Sequence, residues 1–420
     1  MDKKDQKKQT DKVITIDNYI LRQKPLGSGS FGTVYLAKNK KGEYFAAKQM
    51  EFFKVTTDDL IKKNFISELK LTHKLKHENI VRLRDLIKTK NHLYLFLEFC
   101  NGETLQSFLR NYIELFHKPL SLELLQFFVR QIVKGLSYMA AQNVIHRDLK
   151  PDNIMISMPS DTRENDKLNK LLFTDDSIFT NLTIRKSVTT NDVFGDVKIE
   201  PLYYKAEYMK DLKTFTNKVK EYTIKIIDLG LAKELSKEEQ AGTICGTPVF
   251  IAPEVYFSEK RNYGKKSDLW SLGSCIYYLA FARSCMSPIS YEMNLVEFIK
   301  GDVSIPNKGT PTLELIDLIN GLLKVDVSKR YSWNQVINHP FIINDIDKQR
   351  PFDFEGKDEY VINMKSDKNF IEHIEIVNHL SKEEATPEEM QSVFNPLHES
   401  MVDITQEFSM KDDWTIMDLK

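Results

Sequence analysis

The chain has 420 residues and is 41% hydrophobic, enough for a substantial core in one two-lobed unit or two domains; a disordered or fibrous protein is excluded. Cys100, Cys245, Cys275 and Cys285 are its only cysteines and show no CxxC spacing, which excludes a disulfide scaffold or zinc ribbon and points to a reducing compartment, cytoplasm or nucleus. The net charge of −1 is split: residues 345–420 hold 19 acidic and 8 basic side chains, a net of −11, leaving +10 on the remainder, a solvated lysine-rich surface that demands no nucleic acid.

Residues 1–17 form a charged lead-in with no apolar stretch behind the lysines, unlike a secretory signal. Alternating segments at 19–25, 33–37 and 44–49, bounded by Gly, Lys or Asn, predict short antiparallel strands. Residues 58–76 carry Leu60, Ile61, Phe65, Leu69 and Leu75 at helical spacing, and 92–99 returns to strand character. Residues 122–140 predict a helix with a broad apolar face, and helical patterns recur to about residue 341. The longest nearly apolar run, 269–282, falls short of the about 20 residues that span a bilayer, so it reads as a buried helix and no membrane span is expected. No fixed-period repeat is present. Residues 158–221, with 11 basic and 11 acidic side chains, separate the strand-like runs NIMIS and TIKIIDL as a polar insert, either a docking element or a disordered expansion. The acidic tail, 345–420, has weak helical signals and reads as partly unstructured.

Three stretches carry chemistry. Gly27-Ser28-Gly29-Ser30-Phe31-Gly32 is a glycine-rich loop whose missing side chains allow backbone to approach phosphate oxygens. A dinucleotide fold would open a helix at the third glycine, whereas Thr33-Val34-Tyr35-Leu36 continues as a strand and makes the loop a hairpin. Lys48, in Ala46-Ala47-Lys48, aims an ammonium inward among apolar neighbours, and Glu68 on the 58–76 helix can hold it as an ion pair. His146-Arg147-Asp148-Leu149-Lys150-Pro151-Asp152-Asn153, followed by Asp228-Leu229-Gly230, supplies an acceptor for a hydroxyl proton in Asp148, a cation for a phosphate in Lys150, and metal-binding oxygens in Asn153 and Asp228.

In these motifs, from residue 19 to 341 with only the insert intervening, the sequence resembles the eukaryotic protein kinases. The resemblance implies an α+β bilobal fold, with a small β-rich N-lobe at 18–98 and a larger, mainly helical C-lobe at 102–344. It implies ATP and Mg²⁺ as cofactors and protein serine and threonine hydroxyls as substrates. Lys48 would bind the α- and β-phosphates with Glu68 as its partner, Asp148 would be the catalytic base, and Asn153 and Asp228 the Mg²⁺ ligands. Adenine would lie between Val34 and Ala46 above and Met155 below, near Leu26, with hinge residues Glu98 and Cys100 and with Leu97 behind. Glu254, in Ala252-Pro253-Glu254, would pair with Arg330, and Asp268 would brace the catalytic loop. Lys150 and Gly246-Thr247-Pro248 resemble the serine/threonine rather than the tyrosine class.

Leu229 stands where phenylalanine is usual, Thr72 puts a hydroxyl where an aliphatic side chain usually stacks, and Glu103 replaces a glycine, leaving the ribose contact open between Glu103 and Thr104. Thr72 predicts a less well supported active state. Thr243, four residues before Thr247, matches an activating phosphosite, modified by an upstream kinase or by autophosphorylation, with Arg147 as the receiving arginine. The 97–102 segment LEFCNG resembles that of the autophagy-initiating kinases, and 412–417 resembles an acidic-aromatic docking motif; a lineage-specific or calcium/calmodulin-type kinase is the alternative branch. The alternative function is a pseudokinase-like scaffold that binds partners through insert and tail.

Overall fold

The structure is a computed structural model, and it describes residues 13–29, 32–157, 204–234, 247–256, 264–285, 303–307, 311–352 and 359–362. The chain divides into two units, 1–370 and 371–420, and every described residue lies in the first.

Strands β1 (Val13–Ile16), β2 (Tyr19–Gly29), β3 (Gly32–Asn39), β4 (Tyr44–Glu51), β5 (Leu83–Lys88) and β6 (His92–Glu98) form one antiparallel sheet in the order β1-β2-β3-β4-β6-β5. Period-two alternation splits it into two apolar faces. Tyr19, Leu21, Ala37, Phe45, Ala47, Tyr94 and Phe96 cluster on one, where Tyr19 stacks on Phe96 at 3.8 Å between ring centres. Met50, Leu93 and Leu95 pack on the other against Val55 of α1 (Phe52–Thr57) and Phe65 of α2 (Asp59–Lys74). Asp58 caps α2 by accepting from the backbone N–H groups of Leu60 and Ile61, satisfying two of the donors that a helix start leaves open.

Two of these elements differ from the sequence expectation. The lead-in does not run to residue 17 without structure: Val-Ile-Thr-Ile pairs with β2 and buries Ile16, and Asp17 turns the chain at φ +49°. Helix α1 was not anticipated either, since its Phe-Phe-Lys-Val-Thr-Thr sequence reads as readily as strand.

The second lobe is built on α3 (Leu105–Phe116) and α4 (Leu122–Ala141), followed by the short β7 (Val144–Ile145) and by β8 (Ile154–Ser157). Within the insert, residues 204–219 are folded, and helix α5 (Leu212–Val219) places Phe215 among Phe108, Tyr112 and Phe116, with ring centres 5.0–6.1 Å apart. The chain then returns through β9 (Thr223–Ile226), paired with β8, and β10 (Lys233–Glu234), paired with β7. Helix α6 (Pro253–Tyr256) precedes α7 (Ser267–Phe281), which is buried along almost its whole length and so needs no polar face. Strand β11 (Val303–Pro306), helices α8 (Leu313–Leu322), α9 (Trp333–Ile337) and α10 (Pro340–Ile343), and β12 (Glu359–Ile362), which pairs with β11, complete the described chain. The start of the acidic tail is folded as well. Arg350 donates through Nε to Glu314 Oε1 at 2.6 Å, and the backbone N–H of Leu313 donates to the carbonyl of Arg350 at 2.8 Å. Among the described residues no helix is long and apolar enough to cross a membrane.

Candidate active site

Alternation along β4 decides where Lys48 points. Phe45 and Ala47 face one cluster, so Ala46 and Lys48 face the other side, toward α2 and the space below the sheet. There Lys48 Nζ lies 2.6 Å from Glu68 Oε1 and 3.4 Å from Asp228 Oδ1, with Lys48 and Glu68 both buried. Burial opposes the charge on Lys48, but the two carboxylates outweigh it and raise its pKa, so it stays protonated. Burial pushes the Glu68 carboxyl up and Lys48 pulls against it. Asp228 is also raised by burial, yet Lys48, the Gly230 N–H and His146 bring it below the usual carboxylate range, so it remains an anion.

The helix that carries Glu68 is held at both ends of this contact. Ser67 Oγ donates to the carbonyl of Ala232 at 3.1 Å, and Lys74 pairs with Glu234 at 2.8 Å. Thr72, one helical turn after Glu68, is buried and donates its hydroxyl to the Glu68 carbonyl at 2.6 Å. Leu229 is buried too, keeping the apolar contact expected of that position.

The catalytic-loop motif is fixed from beneath by Asp268 at the start of α7. Its two oxygens accept from the backbone N–H groups of His146 (2.8 Å) and Arg147 (3.1 Å), and Arg147 adopts φ +70°, a left-handed conformation that a non-glycine residue holds only when its surroundings impose it. Asp148 Oδ2 lies 2.9 Å from Lys150 Nζ and accepts from Asn153 Nδ2 at 2.9 Å. Its Oδ1 accepts from the backbone N–H of Thr247 (2.8 Å) and from the Thr247 hydroxyl (3.1 Å), and Lys150 Nζ donates to Thr247 Oγ1 at 2.6 Å. Asp148, Lys150, Asn153 and Thr247 therefore form one closed network. Arg330, fully buried, holds Glu254 through two parallel bonds of 2.7 and 2.8 Å and lies over the Trp270 ring.

The residues expected to contact adenine differ in exposure. Val34, Ala46, Leu97 and Met155 are half-buried, Leu26 is exposed, and Cys100 is buried with its thiol pushed up to about 12 by burial. Glu98 turns its carboxylate to Lys225 at 2.9 Å, a contact that no motif signalled. The glycines of the loop differ in purpose. A side chain at Gly27 would meet open space, which leaves its backbone approachable, whereas one at Gly32 would lie 2.2 Å from the carbonyl oxygen of Gln49, and its φ of +139° requires glycine. Ser28 and Gly29 continue β2, while Ser30 and Phe31 lie outside the described residues, as do Thr243, Gly246, residues 158–203 of the insert and the 412–417 motif.

Neither candidate for the ribose contact has an idle side chain. Thr104 caps α3 by accepting from the Ser107 N–H at 3.2 Å. Glu103 accepts from Asn111 Nδ2 at 2.7 Å through one oxygen and from the Tyr204 hydroxyl through the other. Tyr204 and Asn111 were not singled out from the sequence, since a tyrosine inside a polar insert carries no local signal of its partner.

The sequence pattern of the protein kinase domain family matches residues 20–171 and 195–342. The chain belongs to the protein kinase family. Among characterised relatives it is 27% identical over 352 residues to the serine/threonine-protein kinase ATG1 of Chaetomium globosum, covering 79% of this chain and 33% of that protein. It is 26% identical to the probable serine/threonine-protein kinase fhkC of Dictyostelium discoideum (81% and 47%) and 29% identical to the mitogen-activated protein kinase kinase kinase A of the same organism (76% and 27%). The chain thus spans less than half the length of each of these relatives. Their near-equal identities support the serine/threonine kinase class and an ATG1-like relation without separating the branches.

Proposed function

We propose that the chain transfers the γ-phosphate of ATP to serine or threonine hydroxyls of proteins. The observation that carries this reading is the network in which Asp148 lies 2.9 Å from Lys150 Nζ while both contact Thr247. In that arrangement Asp148 accepts the proton of the attacking hydroxyl, whose oxygen bonds to the γ-phosphorus as ADP leaves, and Lys150 holds charge on the phosphoryl oxygens. Lys48, kept charged and aimed by Glu68, grips the remaining phosphates. Asn153 spends its Nδ2 on Asp148, leaving its carbonyl oxygen, with Asp228, to hold Mg²⁺, which would neutralise charge on the triphosphate.

Val34, Ala46, Leu97 and Met155 supply the adenine pocket, and the backbones of Glu98 and Cys100 its hydrogen bonds. Regulation falls to Thr243, where a phosphate adds about −1.5 to −2 charge for Arg147 to receive. Protein purified from cells and carrying Thr243→Ala is expected to lose most of its activity; unchanged activity removes the regulatory role. The test of the function itself is incubation with Mg-ATP and a generic protein substrate beside Asp228→Asn. Phosphoserine or phosphothreonine above that control is expected, and none, even after phosphorylation of Thr243, would favour a scaffold.

A further inference from the structure

The carboxylate of Glu103 is held at both oxygens, by Asn111 Nδ2 at 2.7 Å and by the hydroxyl of Tyr204. Tyr204 belongs to the folded end of the insert, 101 residues after Glu103, and its ring lies 6.1 Å from Phe215, which is itself buried in the aromatic cluster of α3. Burial and the Glu103 carboxylate push the phenol pKa up, so the proton stays on Tyr204 and the bond is a charge-assisted one with tyrosine as donor. Among the described residues the insert is held to the lobe by ring packing at Phe215, by the Lys220–Glu123 ion pair and by the directed bond from Tyr204 to Glu103.

What Glu103 is attached to gives this anchor its meaning. The Glu103 carbonyl accepts from the Ile156 N–H at 2.9 Å, the Gly102 N–H donates to the Ile156 carbonyl at 3.0 Å, and Thr104 bridges to Met155. Residues 102–104 thus run alongside β8, directly after the hinge, joined to it by two backbone hydrogen bonds and an isolated bridge to the residue expected beneath the adenine. The fit is close, because a side chain at Gly102 would lie 2.3 Å from the Ile156 carbonyl oxygen. With no slack between 102–104 and β8, a pull on Glu103 is felt at Met155. An unheld carboxylate at position 103 would also be an uncompensated negative charge near the entrance for a triphosphate.

We infer that Tyr204 is a positioning residue for the nucleotide, acting through Glu103 on the 102–104 segment and the Met155 floor, so that the folded end of the insert is a working part of the nucleotide cleft. This rests on the kinase reading above. Tyr204→Phe removes one oxygen and keeps the ring. It is expected to raise KM for ATP and the Kd for a non-hydrolysable ATP analogue by about threefold to tenfold, the range of one net hydrogen bond, with kcat within about twofold. Glu103→Gln keeps an acceptor for the hydroxyl and is expected to retain most of the affinity, Glu103→Ala to lose it, and Tyr204→Phe with Glu103→Ala to be no worse than either alone. Phe215→Ala, which loosens the same segment by another route, is expected to raise KM in the same sense.

A merely structural tyrosine would lower the melting temperature and leave KM where it was. Full-length Tyr204→Phe protein with wild-type KM and Kd, or strictly additive losses in the double variant, would overturn the inference. Wild-type protein that binds no ATP analogue would sink the kinase reading and this inference together, whereas wild-type binding with an unaltered Tyr204→Phe sinks this one alone.

Discussion

Two buried clusters of the molecule are built on opposite chemistry. Around Lys48 and Asp148 every partner is a charge or a strong donor, and each group is the compensation for another: Lys48 for Glu68 and Asp228, Asp148 for Lys150 and Asn153. Around Phe215 the partners are the rings of Phe108, Tyr112 and Phe116, and what each contributes is area and shape. Deleting one member of the first kind strands its partner in a poorly solvated place, while trimming one of the second gives up contact in proportion to what is removed. Failure should therefore be abrupt in the first cluster and graded in the second.

The sharpest break of that contrast is expected at Asp148, the proposed proton acceptor. Asp148→Asn is expected to cut phosphate transfer by about 10²- to 10⁴-fold, the worth of a positioned general base, and to lower the melting temperature as well, since Lys150 and Asn153 lose their charged partner. A loss below tenfold in a steady-state assay would mean that Asp148 is not the proton acceptor. Next comes Arg330, whose guanidinium is the double-bonded partner of Glu254 and is fully buried. Arg330→Ala is expected to cost about 3–5 kcal/mol by leaving Glu254 uncompensated, read by denaturant unfolding, and removing Glu254 as well should recover part of it. A double variant as unstable as the sum of the two singles would refute the coupling.

In the aromatic cluster, Phe215→Leu keeps most of the volume and is expected to cost less than about 1.5 kcal/mol in the same measurement. A collapse of the fold on that mild change would erase the distinction between the clusters. The smallest effect is expected at Thr72. Because its hydroxyl already bonds to the Glu68 carbonyl within the helix, Thr72→Val exchanges one modest hydrogen bond for a methyl group and should stay within about 1 kcal/mol of wild type.

How much of this could be read in the sequence follows the same division. Lys48, Glu68, Asp148, Lys150, Asn153 and Asp228 stood out because ionisable and amide side chains recur there at motif spacings, and the structure gathers Lys48 with Glu68 and Asp228, and Asp148 with Lys150 and Asn153. The sheet was legible where side chains alternate, as in 44–49. Val13–Ile16 was not, because four residues between Lys12 and Asp17 give too short a pattern to separate from a charged lead-in. Helix α5 was hidden for a related reason. Leu212, Phe215 and Val219 have helical spacing, but lysines and threonines fill the rest and dilute the signal, and only the partner rings on α3 reveal what Phe215 is for. The folded start of the tail is held by contacts with no local signature, among them Arg350 on Glu314 and backbone bonds to residues 311–313. For Thr72 the sequence showed a hydroxyl among apolar neighbours, and only coordinates could show that the helix backbone takes it up.

Strand β1 has a practical consequence for where this protein can be cut. The family's sequence pattern begins at residue 20, and a chain trimmed to that point would lose Val13–Ile16 together with Tyr19, whose ring stacks on Phe96 and whose hydroxyl donates to Asp85 at 3.0 Å. Residues 20–22, paired with β1 in the whole protein, would then offer bare N–H and C=O groups at the rim of a long strand. Such a rim, on a strand longer than the four-residue edge strand β1, is a better template for the matching strand of a second copy, so the shortened protein is expected to self-associate more readily than the longer one.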